Sequence, residues 1–497
     1  GLCMIDLFPT ARPESMGIPS KQILQFLKKA EDNGIMLHSV LMMRRDHVVA
    51  EGYYSPFTRN GLHRMYSVSK SFVSTAIGLL ADEGRISLDD HVCDYFRDKL
   101  PEHPHPYILD MRIRDLLMMS TPHTSTTYKR DDKDWAWTFF NTEPSHPAGT
   151  IFHYDTSGTY VLDVLTERVT GKPFLEYLKD KVLRDLGFSE NAWCVKAPEG
   201  NSWGGSGVMC TTRDLARLAL LYLHHGKLGG KQYLSKDYVQ AATTKQIDNA
   251  PTGHKDYVHG HGYGYQIWML RDGAYAFTGM GMQLAISVPR EDFLFVCTGD
   301  TQGSAQVYAG VVELLWNEIV GKLHPGALPE EETAASQLEE KLRNLHVVNP
   351  LTGKCSSPLQ ENICGRYYTL TSNPMGIKKL CVNLHDTEGQ LILETKEGEK
   401  RISFGMEDYM EGYFPQTNYF GHTIGTPSGK EYRCMAVARW TQENKLVIRC
   451  YIIDDYLGNM TVTLGFKGEE TGICMTKTAE WFLDEYQGFA GGHRIKE

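Results

Sequence analysis

Strand-forming segments stand at both ends of residues 1–325, and helical ones fill the middle. Near the start, "HSVLMMRRDHVVAEGYY" reads as two strands joined by a tight turn at Arg45-Asp46. From Tyr263 the strand pattern returns in "GYGYQIWML", "AYAFTG", "QLAISVPR" and "DFLFVCTGD", with a hairpin turn in "VPRED". Between them the clearest signals are helices closed by glycine, "SGTYVLDVLTERVTG" and "TTRDLARLALLYLHHG". "SKQILQFLKKAEDNG" reads as an amphipathic helix with Ile23, Leu24, Leu27 and Ala30 on one face. "AQVYAGVVELLWNEIVGKL" reads as a last helix covering the sheet. The simplest arrangement is an α+β fold: one antiparallel sheet built from both ends, with a helical lobe inserted between them.

A break follows. "HPGALPEEETAASQLEEKLRNL" is rich in Pro and Glu and then amphipathic, so residues 326–360 read as a linker containing a helix. From 361 to 497, short strand-like runs alternate with Gly, Asn and Asp turns, the pattern of an all-β barrel or sandwich. No repeat of fixed period is visible.

The formal net charge of -10 and the lack of a basic run exclude nucleic acid as the main partner. No apolar stretch reaches the roughly 18 residues that span a bilayer. The opening "GLCMIDLFPTARPES" has no basic segment followed by an apolar one, so no leader is read there, although residue 1 is Gly rather than Met. The 11 cysteines are scattered without a CxxC pair, which suits a reducing, cytoplasmic setting better than a disulfide framework or zinc cage.

The chemistry centres on "HRMYSVSKSFVSTAIGLLADEG". Val73, Ala76, Ile77 and Leu80 recur at helical spacing, so Ser67 and Lys70 lie one turn apart at a helix start. There the free N–H groups and the helix dipole favour a developing negative charge. A buried lysine loses proton affinity and can serve as a base near neutral pH. Ser and Lys are common residues, so an ordinary helix start would also show this tetrad; the neighbouring segments decide between the two.

Those neighbours resemble the serine β-lactamase and penicillin-binding protein superfamily, in which S-x-x-K is followed by two further motifs. "PAGTIFHYDTSGTYVLDVLTERVTGKPF" resembles the second, a Y-x-N before a helix, with Tyr154-Asp155-Thr156 in its place. "LDDHVCDYF", "IRDLLMMSTPH" and "WGGSGVMCTTRDLARLALLYLHHGKLGGKQYLS" resemble segments of class C β-lactamases and their esterase and amidase relatives. The likeness runs from about Pro13 to Leu323 in the expected order. It is nearest to aminohexanoate-dimer hydrolases, D-aminopeptidases and family VIII esterases. It implies a β-lactamase/transpeptidase-like fold and a serine hydrolase acting on a small amide, ester or short peptide. Ser67 would be the acylated nucleophile, with Lys70 and Tyr154 as proton-transfer partners. The N–H groups of Ser67 and Met280 would form the oxyanion hole. An acyltransferase using the same acyl-enzyme and a non-hydrolytic cell-wall sensor are the alternatives. The resemblance implies neither cofactor nor metal, and the sequence does not give an oligomeric state.

The third motif departs from K-T-G or H-x-G. Its best match is Phe277-Thr278-Gly279, where Phe277 replaces the cation. This predicts an apolar substrate wall at Phe277, with Thr278 and Gly279 beside the substrate and penicillins as poor substrates. Thr156 replaces the Asn that contacts the acyl side chain, and Asp155 would place a carboxylate near a cationic substrate group. His259 and His261 are spaced like metal ligands but lack a third, and read as a loop rim. Trp135, Trp137, Phe139 and Phe140 read equally as core or as a substrate wall.

Overall fold

A computed structural model describes residues 5–129, 131–250, 260–301, 305–416, 430–479 and 483–496. The chain divides into two compact units, Gly1–Leu345 and His346–Glu497. Among the described residues no helix is long and apolar enough to cross a membrane, and the cysteines are free.

The first unit is organised by a sheet of six strands in the order His47–Tyr53, Leu37–Arg44, Phe293–Gly299, Gln283–Val288, Tyr275–Gly279, Trp268–Met269. Every neighbouring pair is antiparallel. The two ends of the unit meet in the middle, where Val40 pairs with Cys297 and Met42 with Phe295. The turn at Arg45-Asp46 has φ of 47° and 65°, the left-handed pair that suits a two-residue hairpin.

Leu37–Arg44 is buried at every residue, so the sheet is covered on both faces. Register shows which helix covers which face, because directly paired residues point the same way. Phe295 pairs with Ile286, and Ile286 with Ala276; this face meets helix Ser20–Asp32, where Phe26 sits edge-on to Phe295 at 5.6 Å. Phe277 pairs with Ala285, and Ala285 with Val296; this opposite face meets helix Thr212–Leu223, where Tyr222 lies edge-on to Phe277 at 5.4 Å.

The helix Ser69–Asp82 crosses the lobe on that second side. The spacing predicts one buried face, but residues 69–80 are all buried. The polar face is tolerated because its hydroxyls are satisfied. Ser71 Oγ donates to the Gln266 carbonyl, Ser74 and Thr75 bond the hydroxyls of Tyr238 and Tyr222, and Ser69 Oγ accepts from the Val208 N–H. Gly78 admits Tyr238 against the helix. The helix Glu332–Arg343 packs against helix Ser20–Asp32 and strand His47–Tyr53, within the first unit.

The second unit is a β-barrel around one apolar core. Nine strands form a ring in the order Gly398–Gly405, Glu388–Thr395, Ile377–His385, Tyr367–Leu370, Gly488–Arg494, Glu470–Thr478, Leu457–Lys467, Lys445–Ile453, Tyr432–Gln442. Gly405 bridges Val437 to close it, and strand Met410–Phe414 pairs along the rest of that edge.

Gly78→Ala tests the close helix packing. On an exposed helix the change stabilises by up to about 1 kcal/mol. Here the added methyl meets the Tyr238 ring at 2.5 Å and Leu234 Cδ1 at 2.9 Å. Urea denaturation is expected to show a net loss of roughly 1–3 kcal/mol.

Candidate active site

A short strand, His63–Arg64, pairs with Val208–Cys210 and delivers the chain into a helical turn, Tyr66–Val68, that runs into helix Ser69–Asp82. Tyr66 has φ of 49°, a left-handed conformation that is costly for a bulky side chain. Ser67 follows it and is partly exposed at the helix start.

Lys70 lies one turn on and is 2% exposed. Its Nζ donates to Ser67 Oγ at 2.9 Å and to the Gly205 carbonyl at 2.7 Å. Burial lowers its pKa to about 7, and the Asp155 charge opposes part of that shift. The Lys70 Nζ also stands 4.9 Å above the centre of the Tyr154 ring.

Tyr154 comes from the loop ahead of helix Thr156–Thr170. Its ring stacks on Trp268 at 5.5 Å and packs beside Met119, Phe152 and Tyr263. Burial raises its pKa, and a side-chain hydrogen bond with Ser67 offsets part of the rise. The phenol therefore holds its proton at neutral pH. The three side chains expected to act together converge on the Ser67 hydroxyl.

The strand Tyr275–Gly279 forms the other wall. A methyl placed at Gly279 would lie 3.2 Å from the Ser67 nitrogen and collide with the Met65 carbonyl, so only glycine lets the strand end approach Ser67. Thr278 is half-buried beside it and pairs with Leu284. Met280 is half-buried in the turn that follows. Gln283 holds this turn: its Nε2 donates to the Met280 and Gly299 carbonyls at 2.9 and 2.8 Å, and its Oε1 accepts from the Gly299 N–H at 3.0 Å.

Two expected substrate contacts are corrected. Phe277 is 1% exposed. It lies on the Gly279 side of the sheet, but two residues deeper, sealed under Tyr222, whose hydroxyl bonds Thr75 of helix Ser69–Asp82. It is a core residue and not a substrate wall. Asp155 is 0% exposed. One carboxylate oxygen accepts from Thr121 Oγ1 at 2.7 Å, and the other from the Ser157 N–H and hydroxyl. It caps helix Thr156–Thr170, and its charge reaches Lys70 rather than a substrate cation. Thr156 is half-buried, with its Cγ2 turned toward Gly205.

Of the aromatic cluster, Trp135, Phe139 and Phe140 are buried, and Trp137 is 51% exposed. Trp135 stacks on Tyr128 at 4.0 Å and meets Trp203 edge-on at 5.4 Å, while Trp203 Nε1 donates to the Tyr128 hydroxyl at 3.1 Å. Both Tyr128 and Trp203 are partly exposed. His261 is exposed and His259 lies outside the described residues. Among the described residues no three His, Cys, Asp or Glu side chains gather as metal ligands.

The sequence reading missed the Gly205 carbonyl, Gln283, Trp268 and Arg64. Gly204-Gly205 was the available signal, since paired glycines mark close backbone approach.

Residues 30–308 match the family model described as Beta-lactamase. The chain belongs to the β-lactamase family. Within that family it is 32% identical over 217 residues to a 6-aminohexanoate-dimer hydrolase of Paenarthrobacter ureafaciens, a match covering 40% of this chain and 55% of that one. The chain thus spans little more than half the length of that curated relative. Its fold is similar to a penicillin-binding protein homologue from Caulobacter crescentus, with a TM-score of 0.52, 15% identity, and coverage of 63% of this chain and 100% of that one. It is also similar to EstCE1, titled a hydrolase with promiscuous acyltransferase activity, with a TM-score of 0.50, 15% identity, and coverage of 61% and 99%.

Phe277→Ala separates core from substrate wall. A buried Phe truncation costs about 3–5 kcal/mol, so urea denaturation should show a large loss. The folded fraction should keep the wild-type KM for an uncharged ester, measured by initial rates below the melting temperature.

Proposed function

We propose that the first unit is a serine hydrolase that cleaves an amide or ester through a Ser67 acyl-enzyme. The observation that carries this is the 2.9 Å bond between Ser67 Oγ and a Lys70 whose pKa falls to about 7. At neutral pH the free amine of Lys70 is therefore accessible and can accept the Ser67 proton.

Ser67 Oγ then attacks the substrate carbonyl. The N–H groups of Ser67 and Met280 are the candidates to hold the oxyanion, each fixed before substrate arrives: one by the helix start, the other by the Gln283 clasp. Tyr154 donates its proton to the leaving nitrogen or oxygen as the acyl bond breaks, and Lys70 returns the serine's proton to Tyr154. Water releases the acyl group by the reverse sequence.

Because Phe277 is buried in the core where the resemblance places a third-motif cation, that position gives the site no charged partner for a substrate carboxylate, which favours uncharged amides and esters over penicillins. The curated relative is named for an aminohexanoate dimer, so secondary amides of flexible aliphatic acids head the substrates to try.

The test is intact mass after rapid quenching with a p-nitrophenyl ester. Wild type should gain one acyl group, Ser67→Ala none, and Lys70→Ala far less at the same time point. An equal adduct in wild type and Ser67→Ala, with equal release of nitrophenol, would sink the reading. The acylation rate should also climb with pH through an apparent pKa near 7, because the ammonium cannot accept a proton. A flat profile between pH 5.5 and 8.5 would remove Lys70 from the role of base.

A further inference from the structure

We propose that Arg64 is a positioning residue for Lys70, acting through the backbone turn Trp203–Gly207; the inference rests on the Lys70 role given above.

A neutral amine has two N–H groups and one lone pair. To take the Ser67 proton, the lone pair of Lys70 must face Ser67, so an N–H must be held elsewhere. The Gly205 carbonyl, 2.7 Å from Nζ, is that acceptor. Its place depends on the turn that carries it. Within the turn, Ser206 and Gly207 N–H groups donate to the Trp203 carbonyl at 3.1 and 2.7 Å. The turn is gripped from one side by Asp163, whose Oδ2 accepts from the Gly204 N–H at 2.9 Å.

Arg64 grips it from the other side. Its Nε donates to the Ser206 carbonyl at 2.7 Å and Nη2 to Ser206 Oγ at 3.2 Å. The guanidinium is 1% exposed. It lies 4.7 Å from the ring centre of Tyr66 and 5.1 Å from that of Trp203. One planar cation thus touches the residue before Ser67, the first residue of the turn, and Ser206, the residue just after Gly205. A turn shifted relative to Ser67 would rotate the amine away from the hydroxyl. Close approach also leaves no slack: a methyl at Gly205 would stand 2.6 Å from Thr156 Cγ2.

Lysine cannot replace this contact, because an ammonium neither stacks between rings nor presents two donors in a fixed fork. Arg64→Lys, wild type and Ser67→Ala are compared by p-nitrophenyl ester hydrolysis from pH 5 to 9, with folding checked by circular dichroism. The expected result is a kcat lower by about 10- to 100-fold with KM unchanged. The acid limb of the kcat profile should also move to lower pH, since the lost carbonyl bond had favoured the ammonium. A folded Arg64→Lys protein with wild-type kcat overturns the inference, and so does a fall in kcat with the limb in place, the mark of a merely structural role. Arg64→Met, which keeps the apolar stem, repeats the test if the lysine variant does not fold. Full activity in Ser67→Ala would instead overturn the hydrolase reading.

Discussion

The first unit is arranged around one buried amine. Taking an ammonium out of water is costly, and the protein answers by letting the proton go near neutral pH rather than by pairing the charge directly. Asp155 is near enough to be felt but is committed to Thr121 and Ser157. A direct carboxylate partner would hold Lys70 protonated and useless as a base. The Gly205 carbonyl supplies a hydrogen bond without supplying a counter-charge, which suits the base role proposed for Lys70.

That requirement reaches into the surrounding structure. A carbonyl can be delivered to Lys70 only if backbone comes close, hence Gly205. A strand can border Ser67 only where Gly279 stands. The helix that carries Lys70, Ser69–Asp82, is enclosed at both faces, so its Ser and Thr hydroxyls need partners from Tyr222, Tyr238 and Gln266.

The sequence made some of this legible and hid the rest for physical reasons. That Ser67, Lys70 and Tyr154 come together was readable because S-x-x-K and the tyrosine loop are local patterns. The sheet built from both ends was readable from where strand signals fall, and the barrel from evenly spaced strands. Phe277 was placed on the correct strand and face, but depth along a strand depends on what packs above it, and Tyr222 lies far away in sequence. Asp155 was misread because a carboxylate at a helix start serves as a cap as readily as a ligand. The Gly205 carbonyl has no side chain to announce it, and Arg64 in "HRMYS" looks like any surface arginine until Trp203 and Ser206 are seen around it.

The order of elements also sets what must fold before the site exists. Ser67 lies close behind the first hairpin, whereas the turn at Met280 comes from the far end of the unit. Gln283 ties that turn to Gly299, and Gly299 pairs with Leu37 at the start of the first strand. The two walls of the site are therefore joined through pairing of residues more than two hundred positions apart in sequence. Contacts of such separation carry a large loop-closure cost. A chain with helix Ser69–Asp82 formed but residues 275–299 undocked would carry the paired Ser67 and Lys70 with neither the Gly279 wall nor the Met280 turn. Residues 275–299 supply three of the six strands of the sheet, so the second wall of the site cannot form without the sheet that organises the unit.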